Sequence, residues 1–132
     1  MTITYQGNVS CGRDLSVAGN INASGQVAGG SASDARLKNN IEAMTADRAR
    51  RVIMESRPVT FIWNAKAKTL LNTLDGEDIG LLAQEARYVL PQAVAPIWGE
   101  YYKIDYTKYV SPIIRVLQDH EERITELEKR LN

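Results

Sequence analysis

The sequence predicts an α+β protein built from three parts with different periodicities. Residues 9–30 alternate apolar and polar side chains, which is the period of a β-strand. Residues 33–109 mix short helical and β-like runs. Residues 110–132 repeat apolar side chains every three or four positions, which is the heptad pattern of a coiled coil. We therefore expect a glycine-rich β-stranded segment over residues 1–32, then a small mixed α/β domain, then a coiled-coil helix.

Composition narrows the classes of function. The 132 residues suffice for one compact domain with an appendage. Sixteen basic residues balance sixteen acidic ones, which argues against nucleic acid or an anionic membrane as a partner. No apolar run approaches the ~20 residues of a membrane span, and the first eight residues lack signal-peptide features, so we expect synthesis in the cytoplasm. The single cysteine, Cys11, has no His or Cys neighbour, and we expect neither a metal site nor a cofactor.

In the first segment apolar and polar side chains alternate between positions 15 and 27, with Gly19 and Gly25 as sites for turns or bulges. The apolar residues at odd positions are Leu15, Val17, Ile21, Ala23 and Val27, and the polar residues at even positions are Ser16, Asn20, Asn22, Ser24 and Gln26. So short a segment cannot bury an apolar face by itself, and we expect it to pair with other copies of the chain. A flexible, glycine-rich leader is the alternative.

The middle segment opens with a helix and a strand. Residues 47–56 suit a helix with Asp47 as its cap, and Pro58 then requires an extended exit. Residues 59–63 have the β-branched and aromatic density of a strand. A loop or hairpin is expected over residues 66–78, because Asp75 precedes Gly76 there.

Two further elements complete the middle segment. Residues 79–90 begin apolar and continue at helical spacing until Pro91, which predicts a helix. Residues 101–106, with the sequence YYKIDY, predict another short strand.

The C-terminal heptads form a narrow apolar stripe. Arg123 at a g position and Glu128 at an e position favour parallel strands, because the two pair in register between neighbours. An ordinary amphipathic helix packed on its own domain is the alternative, although such helices usually carry a wider apolar face. The predicted seam, at spacings of three and four, consists of Val110, Ile113, Leu117, His120, Ile124, Leu127 and Leu131.

His120 is the only polar residue of this seam and the only histidine of the chain. A polar seam residue generally specifies register and strand number at some cost in stability. A metal site or a pH switch would require several copies to meet on a common axis.

One short run carries the spacing of a catalytic pair. Ser33 and Lys38 lie five residues apart, where the glycine-rich segment meets the middle domain. A serine hydroxyl needs a base to become a nucleophile, and lysine is that base in Ser-Lys variants of the catalytic triad. A lysine can serve as this base if burial or a neighbouring cation such as Arg36 disfavours its charged form. The spacing leaves a second interpretation open, in which Ser33 or Asp34 caps a helical turn.

Four sequence motifs, which follow one another along the chain, cover nearly all of residues 33–132. They are SDARLK at 33–38, RPVTFIW at 57–63, GLLAQEARYVLPQAV at 80–94 and YYKIDYTKYVSPIIRVLQ at 101–118. With the terminal heptads they resemble the intramolecular chaperone auto-processing domain, which ends phage endosialidases, tailspikes and tail fibres. The glycine-rich segment before them resembles the β-stranded shaft of such fibres.

The resemblance implies partners and a location. The chain is expected to form a homotrimer through a parallel trimeric coiled coil, and its own N-terminal shaft, residues 1–32, is both folding client and substrate. The fibre or spike belongs to a virion, and the chain is made in the cytoplasm of the host bacterium. Whether the tip leaves the fibre after cleavage stays open. The alternative is a structural tip that trimerises the fibre without cutting it and contacts a receptor.

The resemblance also implies roles for individual residues. The serine of the family corresponds to Ser33 as nucleophile, and its lysine to Lys38 as base. The scissile bond is therefore Ala32–Ser33. Small residues before the serine let the backbone approach its hydroxyl closely. Four residues are expected to fix the turn or to support the site or the subunit interface: Asp34, Arg36, Gln84 and Glu85.

Overall fold

The computed structural model describes residues 6–132, so residues 1–5 of the predicted shaft segment lie outside the described residues. The middle of the chain is a mixed α/β domain with two small sheets, and the C-terminus is a long helix, as the sequence predicts. Three short 3-10 helices lie at Ala35–Leu37, Pro91–Ala93 and Tyr106–Tyr109. The longer elements are α1 (Ala46–Glu55), β1 (Val59–Ile62), α2 (Ala65–Leu70), β2 (Glu77–Gly80), α3 (Ala83–Val89), β3 (Val94–Ile97), β4 (Tyr101–Ile104) and α4 (Val110–Leu131).

Residues 6–34 form neither a helix nor a strand in this single chain, and every one of them is exposed. Their apolar side chains stand in solvent, with Val27 84% exposed. The strands expected here need neighbouring copies for their hydrogen bonds and for burial of their apolar face. The β-stranded shaft therefore stays a prediction.

Helix α1 begins one residue before the predicted start, and its cap differs from the prediction. The side chain of Thr45 accepts a hydrogen bond from the backbone N–H of Arg48 at 3.2 Å. Asp47, predicted as the cap, lies inside the first turn. There its negatively charged carboxylate interacts favourably with the positive end of the helix dipole. A threonine two residues earlier satisfies the free N–H groups better, because the cap must precede the helix.

The predicted helix over residues 79–90 is wrong at its start. Residues 79 and 80 belong to β2, which pairs antiparallel with β1 so that Val59 faces Gly80 and Ile62 faces Glu77. Helix α3 begins only at Ala83. A short apolar run fits a helix and a strand equally well, and here the pairing with β1 decides.

The connection from β1 to β2 contains a helix that the sequence analysis missed. Asn64 caps α2 by accepting a hydrogen bond from the N–H of Ala67 at 2.9 Å. The chain then turns at Asp75 and Gly76, where Gly76 has a φ of +91°. The two strands form a hairpin with this helix inserted, so the predicted loop is only partly correct.

The second sheet is a hairpin of β3 and β4. The predicted strand at YYKIDY is present as β4, with Asp105 and Tyr106 outside it. Its partner β3 was not predicted. The strands join through a turn in which Trp98 and Gly99 both have positive φ, at +51° and +81°. Trp98 packs edge-on against Tyr101, with ring centroids 6.4 Å apart.

The core lies where α1, α3 and the segment before α4 meet. It is formed by the buried side chains of Val52, Leu90, Ala93 and Tyr109. Helix α4 packs against α1 through a face whose buried residues are Pro112, Val116 and Asp119. Arg50 of α1 donates a hydrogen bond to the carboxylate of Asp119 at 3.2 Å. This ion pair fixes the rotation of α4, because Asp119 is only 8% exposed and needs its partner.

The predicted seam of α4 is a separate face from the one that contacts α1. Its apolar side chains are between 45% and 86% exposed. His120 is exposed as well. Single exposed apolar side chains are normal, but a continuous exposed stripe marks an interaction surface. The helix is as predicted, whereas its assembly into a coiled coil is not visible in one chain. The exposed apolar seam residues are Val110, Ile113, Leu117, Ile124, Leu127 and Leu131.

A close approach between Gly80 and Tyr106 joins β2 to the segment before α4. The hydroxyl of Tyr106 accepts a hydrogen bond from the backbone N–H of Leu81 at 3.0 Å. A Cβ atom at position 80 would lie 2.7 Å from the same hydroxyl. Only glycine leaves room for this contact, which explains the glycine that opens the GLLAQE run.

We predict that Gly80→Ala destabilises the domain by about 1–3 kcal/mol, because the new methyl group overlaps the Tyr106 hydroxyl. Urea unfolding measures the effect. Gly12→Ala is the matched control, since nothing lies within 4 Å of the added methyl group. Adding Tyr106→Phe to Gly80→Ala removes the overlap and should restore part of the loss. Equal stabilities of Gly80→Ala and Gly12→Ala would contradict the proposed role of this glycine.

Candidate active site

The 3-10 helix at Ala35–Leu37 is a single turn closed by its own backbone. The N–H of Leu37 donates to the carbonyl of Asp34, and that of Lys38 to the carbonyl of Ala35, both at 3.1 Å. Asp34 caps the turn by accepting a hydrogen bond from the N–H of Arg36 at 2.9 Å. Of the two residues considered as caps, Asp34 therefore has this position.

Arg36 reinforces the cap with its side chain. Its Nη2 lies 2.8 Å from Oδ2 of Asp34, and its Nε lies 3.1 Å from Oδ1. Side-chain and backbone hydrogen bonds from Arg36 lower the pKa of Asp34 below its usual value. A bidentate guanidinium and carboxylate pair has a defined geometry, so the two side chains hold the turn in one shape.

The turn brings the two residues of the predicted dyad together. Ser33 immediately precedes the cap and Lys38 immediately follows the last residue of the turn. The Nζ of Lys38 donates a hydrogen bond to the Oγ of Ser33 at 2.7 Å. This distance lies within the range required between a nucleophile and its general base. After loss of a proton from the amine, the same contact lets the serine hydroxyl donate to the lysine nitrogen.

The dyad lies at the surface of the single chain. Residues 31–41 are all exposed, including Leu37 at 76% and Ile41 at 66%. Within residues 6–132, no hydrogen bond or ion pair joins the dyad turn to the elements from α1 onward. The geometry of Ser33 and Lys38 thus depends on local sequence and not on the domain core.

Gln84 and Glu85 occupy the first turn of α3 and are separate from the dyad. Glu85 instead binds Arg57, which donates from Nη2 at 2.5 Å and from Nε at 3.2 Å. Hydrogen bonds from this guanidinium lower the pKa of Glu85 below its usual value. The sequence analysis missed Arg57, although its position at the start of the RPVTFIW motif was a signal. The pair joins that motif to GLLAQE.

Residues 33–95 match the model of a peptidase family, Peptidase S74, described as chaperone of endosialidase. The match supports the identification of a chaperone-of-endosialidase domain over residues 33–95. The match begins at Ser33 and includes Lys38, Arg57 and Glu85. The family identification expected from the four motifs is therefore confirmed. No curated protein matches the chain.

Other features of the described residues bear on partners. Among residues 6–132, no helix combines the length and hydrophobicity needed to cross a bilayer. Over the same residues, no group of three or more His, Cys, Asp or Glu side chains is arranged to hold a metal ion. Cys11 is exposed and free.

We predict that Glu85→Gln lowers the thermal midpoint modestly at neutral pH, because it removes the carboxylate that Arg57 binds. The pKa of Glu85 is lowered in the folded state. The pair therefore stabilises the fold fully above the ordinary glutamate pKa of about 4.3, and this contribution is lost as the pH falls through the lowered value. The midpoints of wild type and variant should converge in strong acid.

Thermal melts monitored by circular dichroism across this pH range check the expectation. Glu100→Gln is the matched control, since Glu100 forms no ion pair within the described part of the chain. Parallel pH curves for the wild type and the Glu85→Gln variant would show that the pair with Arg57 does not contribute.

Proposed function

We propose that this chain is an intramolecular chaperone that trimerises a phage tail fibre or tailspike and then cuts itself off between Ala32 and Ser33. The observation that carries the proposal is the 2.7 Å hydrogen bond from Lys38 to Ser33, located where the family match begins. The peptidase name of the family supports proteolysis, and its description supports a chaperone acting on its own fibre protein.

The proposed cut is an acyl shift followed by hydrolysis. Neutral Lys38 accepts the proton of the Ser33 hydroxyl, and Oγ attacks the carbonyl carbon of Ala32. The peptide C–N bond breaks, the nitrogen of Ser33 takes the proton from Lys38, and the acyl group remains on Oγ as an ester. One water molecule then hydrolyses the ester, which leaves a carboxylate on Ala32 and a free hydroxyl and amine on Ser33.

The proposed trimer forms through the seam of α4. The seam is exposed over its whole length, while Pro112, Val116 and Asp119 already have a partner in α1. A parallel coiled coil covers the seam with the same face of two other chains and sets the three chains in one register. Residues 1–32 then start in register, which allows the alternating side chains to pair between subunits.

The proposed domain boundaries follow from these roles. Residues 1–32 are the end of the shaft, residues 33–109 the auto-processing chaperone and residues 110–132 the coiled-coil helix. We place the assembly in the tail fibre or spike of a virion, after synthesis in the cytoplasm of a bacterial host.

The second candidate function is a structural tip that trimerises the fibre and remains attached, with a receptor as its contact. The exposure of residues 31–41 favours it, because an exposed serine and lysine lack the dry, rigid surroundings that make such a pair reactive. Both functions use the same trimer, and cleavage separates them.

We predict that the wild-type chain yields two pieces, residues 1–32 and residues 33–132, visible by mass spectrometry after denaturation. Ser33→Ala removes the nucleophile and Lys38→Ala removes the base, so each variant should stay intact. Ser31→Ala is the matched control and should be cut normally. Cleavage should accelerate as the pH rises, since a lysine base acts as the neutral amine.

Two outcomes would overturn the cleavage proposal. An uncut wild type after long incubation at mildly alkaline pH would leave the structural tip as the function. A cut that persists in Ser33→Ala would mean that another residue is the nucleophile.

Assembly should precede cleavage, because the weak nucleophile must be held rigidly before it reacts. We predict that the double variant Ile124→Asp and Leu127→Asp is monomeric and uncut, since each new charge would be buried without a partner in the seam. Analytical ultracentrifugation and mass spectrometry measure the two properties. Thr125→Asp with Lys129→Asp, at b and f positions, is the matched control and should remain trimeric. Efficient cutting of a monomer would show that assembly is not the trigger.

A further inference from the structure

The seam of α4 contains one position whose chemistry differs from all the others. His120 is exposed, and the seam residues before and after it, Leu117 and Ile124, are apolar and more than half exposed. His120 does not belong to the face of α4 that contacts α1, because its neighbour Asp119 is the buried residue in this turn of the helix. The imidazole is therefore free to meet a partner along the seam.

A parallel trimer places three copies of this imidazole around one axis at the same height. Three imidazole nitrogens with a water molecule complete a four-coordinate site of the kind that zinc accepts, and imidazole also suits copper and nickel. We propose that the trimer binds one divalent transition-metal ion, with zinc as the reference ion, through His120 of its three chains. This inference rests on the proposed trimer and goes beyond it by assigning a ligand to its axis.

The charges around His120 favour a cation. Arg123, the nearest basic residue along the helix, is at a g position that borders the seam. Its Nη1 lies 3.9 Å from the carboxylate of Asp119, which offsets its charge. Asp119 is itself bound by Arg50 of α1 at 3.2 Å. Glu121 follows His120 at an e position, which borders the seam. It forms no ion pair within residues 6–132, so its carboxylate remains available beside the imidazoles.

The apolar layers on either side would protect such a site. Leu117 and Ile124 lie one turn before and one turn after His120, and in a trimer they would exclude water from the axis. An ion that binds only the assembled state stabilises that state by mass action. The bound metal would then compensate for the loss of stability that a polar residue causes in a coiled-coil seam.

The experiment uses the full chain without a histidine tag, so that His120 is the only histidine present. Zinc chloride is titrated into the protein by calorimetry at mildly alkaline pH, and thermal melts are recorded with zinc and with EDTA. We expect one zinc ion per three chains and a higher midpoint with zinc than with EDTA. Cobalt in place of zinc should give the visible absorption bands of a four-coordinate site.

Two variants test whether His120 is the ligand. His120→Leu keeps the seam apolar and should remain assembled, while losing both the stoichiometric binding and the shift of the midpoint. Cys11→Ser should retain both, because the single thiol of the chain lies far from α4 in sequence.

The outcomes distinguish this inference from the proposed function. A trimer that binds no zinc, or one whose zinc response survives His120→Leu, overturns the metal site and leaves the chaperone function standing. A chain that stays monomeric by ultracentrifugation with and without zinc overturns the trimer and the metal site together.

Discussion

The packing of α4 against α1 is the constraint on which the rest of the structure depends. Val116 and Asp119 point into this contact, and Arg50 holds the carboxylate. Because each helical residue advances by about 100°, fixing this face also fixes the direction of the seam, about a quarter of a turn away. The seam of α4 therefore faces solvent in a single chain. Burying one such Leu or Ile gains about 1.5–3 kcal/mol, so the six apolar residues provide a strong driving force for association.

The dyad turn depends on a different and purely local set of interactions. Asp34 and Arg36 close it through the cap and the guanidinium, and Ser33 and Lys38 meet as a result. Nothing in the described core takes part in this geometry. The molecule therefore separates a body with an exposed apolar seam from a local turn that holds Ser33 and Lys38 together. In the proposed trimer, any additional surroundings for this pair would have to come from the other chains.

Features that depend on residues close together in the chain could be predicted from the sequence, whereas contacts between distant residues could not. The heptads identified α4, and the six-residue SDARLK run was enough to bring its serine and lysine together, because both depend on neighbours in the chain. The pair of Arg57 and Glu85 spans 28 positions and required the fold. Likewise the sequence of β2 ends in the apolar run that was predicted as a helix. The sequence of β3 contains Pro96, which is unfavourable in a strand. Their pairing with β1 and β4 is a tertiary effect that periodicity does not encode.

The last turns of α4 have a consequence for folding. Every residue from His120 onward is exposed, so this part of the helix projects beyond the body without tertiary support. An unsupported helix of this length is marginal in water, because few hydrogen bonds offset its nucleation. In the proposed trimer, contact with the other copies supplies the missing support, so helix content would rise with protein concentration. A dilute chain would keep the folded body while its C-terminal arm frays.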